Sequence, residues 1–258
     1  MKALACVRFA AFSAFFFVVA GGVFIQKRVE FDAAKGKFMV HMLHSAYFFP
    51  QTVEVKWSAS IQGKPTLPVW LHLFPSRHRA IAYLIGTPVT PLKQVTVHVI
   101  AKRIDNYRSA EQFITIKLND DVRFNTSTQQ IVQLRIKNVE AEDFIGKRDN
   151  KIRLLEKAIR ETFRGKGVNP YIFNIFSEIE QLREDFRSLS GQRKIASIIQ
   201  IGTQYGFHLN VHNLVEGLNR NPEYCSKSHY IPMDRQFRDN FDVDWCKFEL
   251  VSRLLIDI

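Results

Sequence analysis

The segment FRDNFDVDWCKFELV (237–251) sets two carboxylates, Asp242 and Asp244, beside Trp245 and Cys246. Carboxylates next to a thiol are material for a metal site or an activated nucleophile, and each needs companions. A nucleophilic Cys246 requires a base in reach, and no Cys/His signature surrounds it. In an extended segment Asp242 and Asp244 share the face opposite Phe241, Val243 and Trp245. They read as solvent-side groups, free to pair with Arg235 and Arg238. Asn119, Asp120 and Asp121 raise calcium, which takes about six to eight oxygens. No Asp-Arg-Glu or Asp-x-Asn-Asp-Asn string accompanies them, so a solvated turn is expected. His41 and His44, three apart in a strand-like stretch, point to opposite faces. His208 and His212 fit one helical face, but no third ligand is evident. Nucleophile-elbow, phosphate-cradling and zinc-protease motifs are all missing. The reading is therefore a non-enzymatic chain with no cofactor and no metal.

The compartment decides what Cys246 does. Lys2 and Arg8 precede an uncharged run from Phe9 to Ile25 that ends near Ala20, Gly21 and Gly22. Positive start, apolar core and small-residue exit together read as a signal peptide over 1–22, cleaved after Ala20 or Gly22. A retained signal anchor is the alternative, although the run is slightly short of the roughly 20 residues of a comfortable span. Cys6 belongs to that segment, which leaves Cys225 and Cys246. An even pair in an exported chain is a disulfide candidate. Closing that loop of about 20 residues would contribute roughly 3 kcal/mol. Asn125-Thr126-Ser127, inside the polar stretch NDDVRFNTSTQQ, is an N-glycosylation sequon.

The formal charge is +11, falling to +9 without Lys2 and Arg8. Outside the cell such a field favours sulfated glycans, acidic headgroups or an acidic partner. Cations concentrate in GKRDNKIRLLEKAIRETFRGKG (146–167). Lys147, Arg148, Arg153, Lys157, Arg160 and Arg164 form a candidate partner surface, or simply a solvated face. The Gly-Phe aromatic pattern of RNA-binding sheets is absent, so no nucleic-acid partner is expected.

These residues need elements to hold them. The first half offers short strand-like runs at 38–43, 53–61, 69–74, 80–86, 94–103 and 111–118, separated by turns such as GKPTLP and TPVTP. Six or seven strands at this spacing predict a cadherin/Ig-like β-sandwich over 23–120. The remainder, 121–258, reads as strand 131–138, helix 149–163, strands 171–182 and 194–202, helix 211–218 and strand 243–251. That order, βαββαβ, predicts an α+β ferredoxin-like sheet with two helices on one face. At Trp245-Cys246 the apolar phase slips by one residue, which predicts a bulge or a strand buried on different faces along its length.

Several stretches carry a family likeness. VHMLHSAYF (40–48), LPVWLHL (67–73), LIGTP (84–88) and VTVHVIAKR resemble the dystroglycan-type cadherin-like domain of dystroglycan and of alpha- and epsilon-sarcoglycans. IKNVEAEDF (136–144) and FRDNFDVDWCKFELV resemble the alpha/epsilon-sarcoglycan branch, and the likeness extends over 36–252. It implies an extracellular glycoprotein subunit of the sarcoglycan complex, within the dystrophin-associated assembly at the muscle cell membrane. Its implied partners are other sarcoglycans and the dystroglycan complex. Members usually carry four cysteines where this chain has two, a loss expected of a bonded pair that vanished together. Members also continue into a transmembrane helix, and no second apolar run of that length precedes Ile258. A secreted or truncated form, or one held by its N-terminal segment, is the expectation there. A free secreted module that recognises acidic glycans or an acidic partner is the alternative function.

Overall fold

Along Val95, Thr96, Val97, His98 and Val99 every second residue is apolar and β-branched, a pattern that buries one face of a pleated strand. The computed structural model describes residues 28–125, 127–146, 150–165, 167–178, 196–221, 223 and 231–251. In it those three valines are at most 4% exposed. The N-terminal segment read as a signal peptide lies outside the described residues.

The first half contains seven strands: β1 (Arg28–Ala34), β2 (Met39–His44), β3 (Val55–Ile61), β4 (Leu71–Pro75), β5 (Ile81–Gly86), β6 (Gln94–Arg103) and β7 (Ser109–Asn119). They form two sheets, ordered β1-β7-β6-β3 and β2-β5-β4. All pairings are antiparallel except β1 with β7, which run parallel. Val97 pairs with Ile114 and Val95 with Ile116. These side chains share one core with Leu43, Trp70 and Leu84 of the other sheet. β1 is an addition to the six expected runs. Its alternation of Val29, Phe31 and Ala33 with Glu30 and Asp32 sits directly after the apolar N-terminal segment.

Two glycines permit close approaches. Gly36 turns the chain between β1 and β2 at φ +72°, and a Cβ there would collide with the Phe124 ring at 2.3 Å. Gly86 ends β5 at φ +143°, where a Cβ would collide with the Trp70 carbonyl oxygen. Neither conformation suits a side chain.

The second half contains β8 (Gln130–Ile136), a short helix α1 (Ala141–Ile145), α2 (Lys151–Thr162), β9 (Tyr171–Ser177), β10 (Ser197–Thr203), α3 (Leu209–Arg220) and β11 (Val243–Val251). Its sheet is ordered β11-β8-β10-β9, with every pairing antiparallel. The apolar stripe of α2 buries Leu155, Ile159 and Phe163, and that of α3 buries Val211, Val215 and Leu218. Both stripes join the cluster that contains Val132, Leu134 and Ile136 of β8. The strand expected over 171–182 ends at Ser177, and 179–195 lies outside the described residues. The register of β11 slips where the phase does: Asp244 faces Arg135 and Glu249 faces Gln133, five residues against two, a larger irregularity than the one extra residue of an ordinary bulge.

The halves share a seam. Ile85 of β5 and Phe74 of β4 belong to the second core, while Ile131, Tyr171 and Phe173 belong to the first. Five consecutive residues of β9, from Tyr171 to Ile175, are buried because apolar material covers both of its faces. The Thr87 hydroxyl donates to the Ile172 carbonyl. Glu142 of α1 accepts from the Ser76 hydroxyl at 2.6 Å and the Arg77 amide at 3.0 Å.

Candidate functional site

The Asp-Trp-Cys stretch is held from two sides. Phe237, Phe241, Trp245 and Phe248 meet edge to face, with neighbouring centroids 5.4–6.5 Å apart. The Trp245 indole N–H donates to Asp234 Oδ1 at 2.7 Å from the 3-10 turn Pro232–Gln236. Asp242 and Asp244 do not pair with Arg235 and Arg238. Lys137 Nζ lies 3.0 Å from Asp242, and Arg135 Nη1 lies 3.0 Å from Asp244. The cause is register, since β11 lies beside β8 with Asp244 directly across from Arg135. Arg135 also forks onto Glu178, with Nε and Nη2 at 3.0 and 2.9 Å from its two carboxylate oxygens. Glu178 and Arg135 lacked any local sequence signal, because their pairing joins strands far apart in the chain. Cys246 is exposed. Its expected disulfide partner, Cys225, lies outside the described residues, so the bond remains a proposal.

At the sequon, a buried ammonium unannounced by the sequence sets the geometry. The Lys35 side chain is 0% exposed, and its Nζ lies 3.4 Å from Asp120 Oδ1. It donates to Asn125 Oδ1 at 2.5 Å. A buried charge must be compensated, and Asn125 and Asp120 supply the compensation. The Asn125 amide nitrogen donates to the same Asp120 Oδ1, at 3.5 Å. A glycan on that nitrogen would leave the carbonyl oxygen on Lys35. Asp121 accepts from the Arg123 amide and pairs with its guanidinium, which closes the turn Val122–Phe124. The acidic pair thus serves local structure.

On α2, Arg153, Lys157 and Arg160 are exposed on the face opposite Leu155, Ala158 and Ile159, and exposed Arg164 follows the last turn. Lys157 has Glu161 at 3.9 Å. Among the described residues no carboxylate lies within ion-pair distance of Arg153, Arg160 or Arg164. Half-buried Glu156 feels the Arg160 and Arg153 charges, yet burial pushes its carboxyl above the ordinary range. Lys147 and Arg148, expected on the same surface, lie outside the described residues.

The histidines separate into structural roles. His41 stacks on Phe31 at 4.3 Å. The His208 ring accepts from the Asn210 amide at the start of α3. His72 sits in the seam with its ring 5.0 Å from Phe176, its Nε2 buried without a hydrogen-bond partner among the described residues. Burial lowers its pKa from 6.5 to about 4. Among the described residues, no three of His, Cys, Asp and Glu gather as a metal set. A groove of about 1010 Å³ beside β2 is lined by Val40, Met42, Tyr83, Glu142 and Asp143. Its carboxylates are engaged by Arg77.

No family model matches the chain, and no curated protein matches it. The titin M3 domain is 10% identical over 36% of this chain and 90% of that domain, with a TM-score of 0.28. Titin domains Z1Z2 in complex with telethonin are 10% identical over 69% of this chain and 79% of theirs, at 0.26. An endo-fucoidan hydrolase of glycoside hydrolase family 107 is 10% identical over 69% of this chain at 0.28, where the match spans 23% of the hydrolase. Overlaps this loose carry no functional reading.

Proposed function

We propose that this chain is a non-enzymatic extracellular subunit of a sarcoglycan-type membrane complex. It works by contact with other sarcoglycans and with dystroglycan, helping to link cytoskeleton and matrix across the muscle cell membrane. The observation that carries the reading is the run FRDNFDVDWCKFELV, the most specific of the stretches that resemble alpha- and epsilon-sarcoglycans. Its unusual residues have a physical use here: Phe237, Phe241, Val243, Trp245 and Phe248 build the second core, and Asp244 holds Arg135.

The architecture supports the same reading. Two sheets around one core, with β1 running parallel to β7, suit a cadherin/Ig-like sandwich. The antiparallel order β11-β8-β10-β9, with α2 and α3 in the two crossovers, suits a ferredoxin-like βαββαβ unit. Export, cleavage of the N-terminal segment, a glycan on Asn125 and a Cys225–Cys246 bond belong to the same proposal. The test is to tag the full chain in muscle cells and solubilise the membranes in mild detergent. Beta-, gamma- and delta-type sarcoglycans should co-purify with it. Recovery without them, or from the cytosol, would overturn the reading.

A further inference from the structure

We propose that the outer face of α2 is a docking site for a linear sulfated polysaccharide. Arg153, Lys157 and Arg160 lie at helical spacing along one line, about 10 Å from first to last at 1.5 Å per residue. Arg164 follows just beyond the end of the helix. All four are exposed; among the described residues Lys157 alone of them lies within ion-pair distance of a carboxylate, at the loose distance of 3.9 Å, while half-buried Glu156 offsets part of the Arg153 and Arg160 charge. The line keeps a net positive charge, four cations against Glu156 and Glu161, which raises the local concentration of a polyanion. Three of them are arginines, whose planar forks match tetrahedral oxyanions with two hydrogen bonds each.

The shape of the face selects among polyanions. A protein interface takes its affinity from buried aromatic and apolar anchors. Here the exposed large apolar side chain of the helix is Leu154, at 39%, and it has no aromatic neighbour on the helix. Single-stranded nucleic acid is gripped by stacking on aromatic rings, and α2 contains none. A rod of repeated sulfates needs neither anchors nor rings, only charges in a row. Preferring a glycan to a nucleic acid on biological grounds also rests on the export reading, but the binding chemistry can be tested independently of location.

The experiment uses the purified full chain and a heparin octasaccharide, titrated calorimetrically at 50 and 200 mM salt. With about 0.7 ions released per contact, four contacts predict a loss of roughly 50-fold in affinity over that range. The variant Arg153→Gln/Lys157→Gln/Arg160→Gln should bind at least 10-fold more weakly at 50 mM, with most of the salt dependence gone. Because these side chains are exposed, its melting temperature should stay within a few degrees of the parent, which confirms that the fold is intact. The conservative variant Arg153→Lys/Arg160→Lys should retain the salt dependence. Unchanged affinity in a folded glutamine variant would overturn the proposal. So would equal binding of fully desulfated heparin, or tighter binding of oligouridylate of matched charge. Localisation of the tagged chain is a separate measurement, so a cytosolic result would remove the export reading without altering the binding outcome.

Discussion

Replacing Asn125 should do two things at once, and the structure allows them to be separated. Its amide nitrogen is the proposed glycan acceptor, while its carbonyl oxygen accepts from Lys35 Nζ at 2.5 Å. The remaining partner of that ammonium, Asp120, is farther away at 3.4 Å and has a side chain 60% exposed. A hydrogen bond to a charged group contributes about 1.5–3 kcal/mol. At about 2–4 °C per kcal/mol for a protein of this size, Asn125→Ala should lower the melting temperature by roughly 3–12 °C. Ser127 completes the sequon and is exposed, so Ser127→Ala removes glycan attachment without touching Lys35. Secreted wild type should lose apparent mass on treatment with an N-glycosidase, and neither variant should. By calorimetry, Asn125→Ala should melt clearly below Ser127→Ala, since both lack the glycan and only the first loses the acceptor of Lys35. Coincident melting of the two variants would refute the role given to Lys35. An unshifted wild-type band would refute the glycan.

Other perturbations test the seam and the core. Gly86→Ala drives a Cβ into the Trp70 carbonyl oxygen, and should cost at least about 3 kcal/mol in chemical denaturation. His72 is buried neutral with its pKa lowered from 6.5 to about 4. The unfolded chain therefore takes up a proton below 6.5 that the folded chain refuses until about 4, so this residue's support is complete above 6.5 and is lost as pH falls. Stability should drop by up to about 3 kcal/mol across that window, and His72→Phe should flatten the profile. Trp245→Phe keeps most of the ring packing but strands the Asp234 carboxylate, for about 1–3 kcal/mol. Cys246 is exposed, so Cys246→Ala removes little packing. Retention of that variant in the secretory pathway would report a lost covalent bond, and normal export would count against the bond.

Much of the fold could be read from pattern alone. Strands such as β6, β7 and β11 alternate or slip in phase visibly, and the stripe of α2 has helical period, so local burial wrote itself into residue type. β1 carried the same alternation, but its charged residues and its place after the apolar segment hid it. What stayed illegible was pairing across distance. Nothing near Lys35 announces that Asn125 will accept its hydrogen bond, and nothing near Arg135 points to Glu178 or Asp244. For the same reason local spacing offers Asp242 and Asp244 the nearby Arg235 and Arg238, whereas register gives them to β8. The candidate cationic surface was legible in outline, and the structure orders Arg153, Lys157 and Arg160 into a single line.

The seam also bears on how the molecule would withstand pulling. Phe74 and Ile85 are rooted in one core, and Tyr171 and Phe173 in the other. At about 1.5–3 kcal/mol for each large apolar side chain buried, these four alone tie the halves by several kcal/mol. Tension applied near β11 would reach β5 through the packed side chains of the core that Trp245, Phe248 and Ile85 share. The two halves should then melt in a single transition, and a lesion in either should weaken its neighbour.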